Sequence, residues 1–277
     1  MFIYKYWSTF CKDLNDCGIN SVTAVSLREN ESGEPYLILK HDVETNPSKA
    51  LRLAKIENKY YHKGTYYIQA YLLKSKRNIE ILKQIQHLGH EVSYHHDVLD
   101  SCHGNFEDAK IEFESNVKLF EENGFNVITV CQHGNPVVER DGYTSNRDFF
   151  RRPSIADSFS NISDIMVNFS QHIHSDFGYI SDSGYGWKQI CDPENNDRNN
   201  SSDDDIDLGD LNGVLNYIES NQNTIVSTHP HRWQSNVVAA KLHDVIFRVI
   251  KIVARALVQI SFFKRIMNRF YYLAKKI

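Results

Sequence analysis

Seven short apolar or β-branched runs recur along the chain, each followed by turn or polar residues, and helical patterns at 47–61, 75–88, 106–122 and 211–220 separate several of them. Near-continuous apolar strands that alternate with helices are typical of a parallel sheet covered by helices on both faces. The sequence therefore predicts an α/β protein whose sheet is either open and doubly wound or an incomplete barrel. The runs are YLILKHD (36–42), GTYYIQ (64–69), EVSYHH (91–96), NVITVCQH (126–133), DIMVNF (164–169), GYISDS (178–183) and NTIVSTHP (223–230).

Polar side chains with titratable groups cluster where these runs end. Asp42 and Glu44 follow the first run, His95 closes the third, His133 the fourth, and His229 the seventh. In α/β barrels and open parallel sheets the ligand site lies at the carboxyl edge of the strands. The sequence therefore predicts a functional site at that edge.

The first run ends in two acids, Asp42 and Glu44, with a histidine directly before them. Residues two apart on an extended strand face the same side, so the two carboxylates are expected to lie close together. Close carboxylates repel each other unless a cation or a proton lies between them. A divalent metal would remove this repulsion, and a nearby histidine would add a nitrogen ligand. The structural alternative is that Asp42 caps the helix begun by Pro47 while Glu44 is solvated.

Charge divides the chain into two predicted parts. The 277 residues carry a net charge of -4 and can bury one sizeable core. Nine lysines and arginines against one acid give residues 234–277 a net charge of +8, which leaves -12 for the first 233. We therefore predict a domain at 1–233, which carries the candidate site, and a basic tail at 234–277.

Residues 241–277 carry apolar side chains at helical spacing, with lysines and arginines frequent enough to exclude a membrane span. They predict a C-terminal amphipathic helical extension. This helix either packs on its own domain or a partner subunit, or lies on an anionic membrane surface. Nucleic-acid binding is not expected, because the rest of the chain is acidic.

The N-terminus and the cysteines indicate the compartment. No apolar run long enough for a secretory signal precedes Lys12 and Asp13. The five cysteines are odd in number and not arranged in metal-type pairs, which fits reduced thiols. We expect a cytoplasmic protein that meets the inner membrane, if at all, peripherally through its tail. The acidic segment 192–210 predicts a surface loop and lacks the spacing of an EF-hand.

The segments LILKHDVE and GHEVSYHHD resemble two motifs of carbohydrate esterase family 4, the polysaccharide deacetylases. The shorter HDVE and HGNP signatures resemble a divergent branch found with O-antigen and surface-polysaccharide synthesis. The resemblance covers about residues 35 to 233, and all its motifs follow the family's order. It implies a deformed (β/α) barrel of about seven parallel strands and a divalent metal, with zinc as the expected ion.

The resemblance implies a role for each candidate residue. Asp42 matches the family's general base, and Glu44 matches a metal ligand, with glutamate where the family has aspartate. His95 matches a metal-binding histidine, and His229 in STHPHRW matches the general acid. The segments FFRRPS and DSGYGW are similar to a motif that holds the base and to one that lines the pocket. They place Arg152, Asp182 and Trp187 on the substrate side.

One position departs from the family pattern. The family's second metal histidine lies four residues after the first, where this sequence has Leu99. His133 in CQHGNP is the expected replacement, because its strand follows the third in the inferred order. His96, Asp97 and Asp100 are the alternatives.

We expect this protein to remove an N-acyl group, first of all an acetyl group, from an aminosugar in a nucleotide- or lipid-linked precursor of a surface glycan or lipopolysaccharide. A metal would polarise the amide carbonyl and activate a water. Asp42 would accept the water proton, His229 would protonate the amine, and Trp187 would stack on the sugar ring. Two alternatives stay open: a catalytically inactive carbohydrate-binding protein on this fold, favoured by Leu99, and a hydrolase of a non-sugar amide.

Overall fold

A computed structural model describes residues 1–30, 35–135, 138–182, 185–193, 205–221, 223–242 and 245. Its ten strands are β1 (Ser21–Val22), β2 (Leu37–Val43), β3 (Gly64–Ile68), β4 (Glu91–His96), β5 (Thr129–Gln132), β6 (Ser163–Asp164), β7 (Gly178–Ser181), β8 (Trp187–Ile190), β9 (Ile206–Gly209) and β10 (Thr224–Thr228). They form one sheet in the order β6-β5-β4-β3-β2-β10-β7-β8-β9, with β1 beside β2. Pairing is parallel from β6 to β7 and antiparallel for β8 and β9. The fold is therefore α/β with a mostly parallel central sheet.

Helices connect most of these strands, and several begin at recognisable capping residues. Pro47 occupies the first turn of its helix. The side chains of Asn105 and Asp210 each accept two backbone N–H groups at the start of theirs. The helices are α1 (Tyr4–Asp16), α2 (Ala24–Asn30), α3 (Pro47–Lys59), α4 (Lys76–His87), α5 (Val98–Ser101), α6 (Phe106–Glu122), α7 (Asp148–Arg151), α8 (Pro153–Ser158), α9 (Phe169–Ile173) and α10 (Leu211–Ser220), with 3-10 turns at Ala70–Lys74 and Pro230–Arg232.

Strand β2 lies at the centre of the sheet between β3 and β10, and all seven of its residues are buried. Successive side chains of a strand point to opposite faces. Ile38 packs into an interior cluster, whereas Leu39 packs into the cluster under the helices. Lys40 and Asp42 therefore share the interior face, and His41 lies on the helix-covered face.

The interior cluster joins side chains from strands that are far apart in the sheet order. It contains residues of β2, β3, β5, β7 and β10, together with Ile165 and Met166, which directly follow β6. Both ends of the parallel run thus contribute to one interior, an arrangement compatible with a barrel. Among the described residues, no strand pairing joins β6 to β7.

The predicted runs coincide with strands of the parallel sheet, with one correction at 164–169. That run ends as a strand at Asp164, and a helix begins at Phe169. The Asp164 carboxylate accepts the backbone N–H of Met166 at 2.8 Å, and the Asn168 side chain accepts that of Asp164 at 2.8 Å. These two bonds close a turn, which stops the strand. The four predicted helices correspond to α3, α4, α6 and α10.

Helix α1 and the short strands β1, β8 and β9 were not predicted. Helix α1 buries Trp7, Phe10, Cys11 and Leu14 at helical spacing. Residue Gln234 bridges to the start of the chain next to this helix, so the chain stays packed for at least one residue beyond the predicted boundary at 233. Most of the predicted tail, residues 246–277, and the acidic residues 194–204 lie outside the described residues. None of the helices in the described part of the chain has the length and apolar character needed to cross a bilayer.

Candidate metal and acid–base site

The carboxyl ends of β2, β4 and β5 bring together three candidate metal ligands. Ligand atoms of Glu44, His95 and His133 all lie within 4.8 Å of one another. His95 on β4 stands opposite Cys131 on β5, so the chain just beyond β5 carries His133 to the same edge. His133 Nε2 lies 3.2 Å from Glu44 Oε1. The three residues predicted as ligands therefore form one cluster.

His95 is held with one ring nitrogen available to a metal. Its Nδ1 faces the backbone oxygen of Cys131 at 3.0 Å and must therefore donate, which leaves Nε2 as the free donor atom. Burial lowers the pKa of His95 to about 3 and outweighs the opposite effect of the Asp42 carboxylate. The ring is therefore neutral at physiological pH, as metal binding requires.

His133 is anchored through its backbone. Its N–H donates to the oxygen of His96 at 2.6 Å, and the amide of Asn146 donates to its oxygen at 2.8 Å. Its buried ring atom Nδ1 has no hydrogen-bond partner in the described part of the chain. Two imidazoles and one carboxylate are a donor set that divalent metals such as zinc take while keeping an open position. The residues present therefore fit a metal ion.

Asp42 lies deeper and is paired with a cation. The Lys40 ammonium donates to both carboxylate oxygens of Asp42 at 2.6 Å and to Ser227 Oγ at 3.1 Å. Burial alone would raise the pKa of Asp42, but the charge and hydrogen bonds of Lys40 above all outweigh it and hold this pKa well below its usual range. Asp42 is therefore ionised, and it lies beside the cluster of Glu44, His95 and His133. The sequence signal for Lys40 is a lysine that interrupts a buried apolar strand.

His229 faces this carboxylate from the end of β10. Its Nε2 lies 4.0 Å from Asp42 Oδ2 and 3.8 Å from Glu44 Oε1. Its Nδ1 lies 2.6 Å from Asp182 Oδ1, so the ring is oriented with Nε2 toward the site. His231 lies nearby, with Nδ1 3.8 Å from Glu44 Oε2.

The structure gives Asp182 a different role from the substrate contact that was expected. Its side chain is fully buried, so it holds His229 rather than lining a pocket. Its carboxylate accepts the His229 N–H at 2.9 Å, the Thr228 hydroxyl at 2.7 Å and the Arg232 guanidinium at 2.7 Å. Burial alone would raise the pKa of Asp182, but His229 and Arg232 outweigh it and keep it well below its usual range.

The structure places two further predicted residues away from the site. Arg152 is exposed, with its guanidinium 4.4 Å from the centre of the Phe106 ring, and the cation beside Asp42 is Lys40. Trp187 is only 4% exposed and lies nearly parallel to Trp7, with ring centres 6.5 Å apart. A ring packed in the core cannot serve as a platform for a sugar.

Two of the alternatives to His133 have structural partners of their own. His96 lies 2.9 Å from Asp164 and is surrounded by aromatic rings. Asp100 pairs with Arg140 at 2.8 Å and accepts from Asn146 at 2.9 Å. Asn146 also donates to the His133 backbone oxygen, so Asp100 helps to position His133 through Asn146.

Comparison of the chain with protein-family models, with curated proteins and with solved structures found no match.

Proposed function

We propose that this protein is a metal-dependent hydrolase that removes an N-acyl group, in the first instance acetyl, from an aminosugar. One observation carries the proposal. The Glu44, His95 and His133 cluster lies beside a buried carboxylate, Asp42, and a carboxylate-held imidazole, His229. Amide hydrolysis needs a metal site, a base and an acid, and these residues would supply all three at one edge of the sheet.

Glu44, His95 and His133 would hold the cation, for which we propose zinc. When bound, this ion supplies a Lewis acid that polarises the amide carbonyl. His95 Nε2 is aligned by the Nδ1 bond to Cys131, and Glu44 supplies the negative charge. The backbone bonds of His133 keep its ring at the edge, so the ligand set is preorganised.

Asp42 would act as the base. A carboxylate has about four lone-pair positions, and the Lys40 ammonium takes one on each oxygen, which leaves positions for a water proton. His229 would act as the acid through Nε2, because Nδ1 is committed to Asp182. The Asp182 carboxylate stabilises the imidazolium and fixes its direction. Proton transfer by two such groups contributes about 10²–10⁴-fold each.

The sugar substrate is supported by the order of motifs that resemble the polysaccharide deacetylases. On that basis we propose a nucleotide- or lipid-linked aminosugar, a precursor of a surface glycan or lipopolysaccharide. A lipid-linked substrate would place the protein at the inner membrane, where the basic tail could contact anionic lipid. We propose a cytoplasmic location on the same basis.

A second candidate, a hydrolase of a non-sugar amide, is favoured by one observation. Trp187, the aromatic side chain expected to stack on a sugar, is packed against Trp7 in the core. The metal cluster and the acid–base pair would serve either substrate class equally.

Release of acetate or formate from a panel of N-acyl aminosugars and non-sugar amides, with the zinc-loaded full-length chain, tests both candidates. Glu44→Ala should lose metal and activity together, whereas Asp42→Asn should lose about 10²–10⁴-fold in activity with metal retained. His133→Ala should weaken metal binding, and His103→Ala, on an exposed turn, is the matched control. Equal metal content in wild type and Glu44→Ala would refute the ligand assignment. Turnover of non-sugar amides alone would select the second candidate.

A further inference from the structure

Two sets of ligand atoms overlap in the site and share His95. The outer set is Glu44, His95 and His133, and the inner set is Asp42, His95 and Cys131. Within each set, the ligand atoms lie within 4.8 Å of one another. All three residues of the inner set are buried, and one of them offers sulfur, the donor that soft cations prefer. On distances alone, a metal ion could enter either set.

The inner set already contains a positive charge. The Lys40 ammonium is buried and donates to both oxygens of Asp42 at 2.6 Å, and Ser227 Oγ lies 3.1 Å from it. It also interacts with the Cys131 side chain and lies 5.9 Å and 6.0 Å from the ring centres of Tyr67 and Tyr179. A cation bound to the inner set would meet this ammonium at short range.

Charge balance gives the same result. The pairing with Lys40 neutralises Asp42, so while Cys131 is a neutral thiol the inner set has no net negative charge to offset the cost of dehydrating a dication. Glu44 in the outer set has no lysine or arginine among its ion-pair partners in the described part of the chain, only histidines.

We propose that Asp42, His95 and Cys131 form a latent second metal site for thiophilic cations, which the Lys40 ammonium keeps closed. Lys40 thereby confines the metal to the outer set and leaves Asp42 free of metal. This inference rests on the proposed metal site of the outer set. Lys40 acts as a positioning residue, since it is buried and contacts Asp42.

Removing the ammonium should open the inner site. Lys40→Met keeps the length of the side chain and removes its charge. With Co²⁺, which shows a strong near-ultraviolet charge-transfer band when bound to a thiolate, we expect Lys40→Met to develop this band and wild type to lack it. The Cys131 thiol releases its proton to solvent when it coordinates. Lys40→Met with Cys131→Ser should lose the band, and Lys40→Arg, which keeps the charge, should not develop it.

Cadmium gives a second measurement. Because a dication would replace the missing ammonium beside Asp42, Cd²⁺ should raise the melting temperature of Lys40→Met by more than it raises that of wild type. Cys131→Ser in the wild-type background should leave the affinity for Co²⁺ unchanged, since the outer set contains no sulfur and the contact to His95 Nδ1 comes from the backbone oxygen of residue 131, which serine keeps.

These outcomes separate the inference from the proposed function. A thiolate band in wild type, or weaker Co²⁺ binding by Cys131→Ser, overturns the inference alone, and neither measurement requires Lys40→Met to fold. Co²⁺ bound to Lys40→Met without the band also overturns it. Failure of wild type to bind Co²⁺ or Zn²⁺ at all overturns the proposed function and, with it, this inference.

Discussion

Two carboxylate–histidine pairs, Glu57–His41 and Asp182–His229, have different surroundings. Glu57 on α3 lies 2.8 Å from His41 Nε2, and Asp182 after β7 lies 2.6 Å from His229 Nδ1. Both carboxylates are fully buried. The His41 side chain is also fully buried, whereas that of His229 is 16% exposed. The chemistry of the pairs is the same, and access to the imidazole distinguishes them.

The Glu57 pair is sealed by its neighbours. Trp7 Nε1 donates to one carboxylate oxygen at 2.9 Å and the Tyr66 hydroxyl to the other at 2.7 Å. The His41 ring stacks on Tyr66 with ring centres 4.2 Å apart. This buried polar cluster fixes α3 and α1 against β2 and β3, and no reactant can approach it.

A carboxylate–imidazole pair can exchange a proton with a reactant only when one ring nitrogen is accessible. His96 and Asp164 form a further pair at 2.9 Å, and both are fully buried. By this criterion His229 fits the candidate site, whereas His41 and His96 are structural.

The largest expected effect is on the sealed pair. Glu57→Ala would leave the polar groups of Trp7, Tyr66 and His41 buried without their acceptor, and we expect a loss of about 3–5 kcal/mol in the free energy of unfolding. Urea denaturation measures this loss. Glu114→Ala, on an exposed part of α6, is the matched control and should change stability by less than about 0.5 kcal/mol. A loss below about 1 kcal/mol for Glu57→Ala would contradict the structural role of the Glu57–His41 pair.

The pH dependence of stability should come partly from the same pair. Burial alone would raise the pKa of Glu57, but His41, His90 and Tyr66 outweigh it and lower this pKa from 4.5 to about 2. The folded pKa is the lower one, so this stabilisation is complete above about pH 4.5 and is lost as the pH falls to about 2. It amounts to roughly 3 kcal/mol.

The test is the difference between wild type and Glu57→Gln, because Asp42 and Asp182 also have a lowered pKa and contribute to acid unfolding. Burial likewise lowers the pKa of His90, which adds stability above its unfolded pKa that is lost on acidification. Unfolding free energies measured between pH 6 and pH 2.5 should fall less steeply in Glu57→Gln. Parallel curves would show that Glu57 is already protonated in the folded protein.

The sequence predicted the parts of the fold that depend on periodicity. Buried strands and amphipathic helices follow from spacing, as in β2 and α3. The cluster of Glu44, His95 and His133 was foreseeable because parallel strands bring their carboxyl ends to one edge.

The orientation of individual side chains was not predictable from periodicity. Motif order placed Arg152 and Trp187 at the site, but the direction of a side chain depends on tertiary packing that no local pattern encodes. The role of Lys40 was not predicted, because a lysine in a buried strand is explained only by its contacts with Asp42 and with Ser227 from another strand. Helix α1 was missed although Trp7, Phe10, Cys11 and Leu14 have helical spacing.

Changes to the Asp182–His229 pair should affect activity. Asp182→Asn keeps the size of the side chain but removes the charge that holds His229, and we expect kcat to fall about 10²-fold, or about 2.7 kcal/mol. Metal content should not change, because Asp182 is not a ligand. Asp157→Asn, exposed on α8, serves as the control. Unchanged kcat in a folded Asp182→Asn would remove His229 from the proposed mechanism.

The smallest effect is expected at Arg152, where motif resemblance and structure differ. Because Arg152 contacts the Phe106 ring at the surface, Arg152→Ala should lose only about 0.5–1 kcal/mol of stability. Its kcat/KM should then change by less than about 0.5 kcal/mol, since the charge beside Asp42 comes from Lys40. Measuring urea denaturation and kcat/KM on the same preparation separates the two outcomes. A large fall in kcat/KM without loss of stability would mean that Arg152 takes part in the proposed reaction despite its exposure.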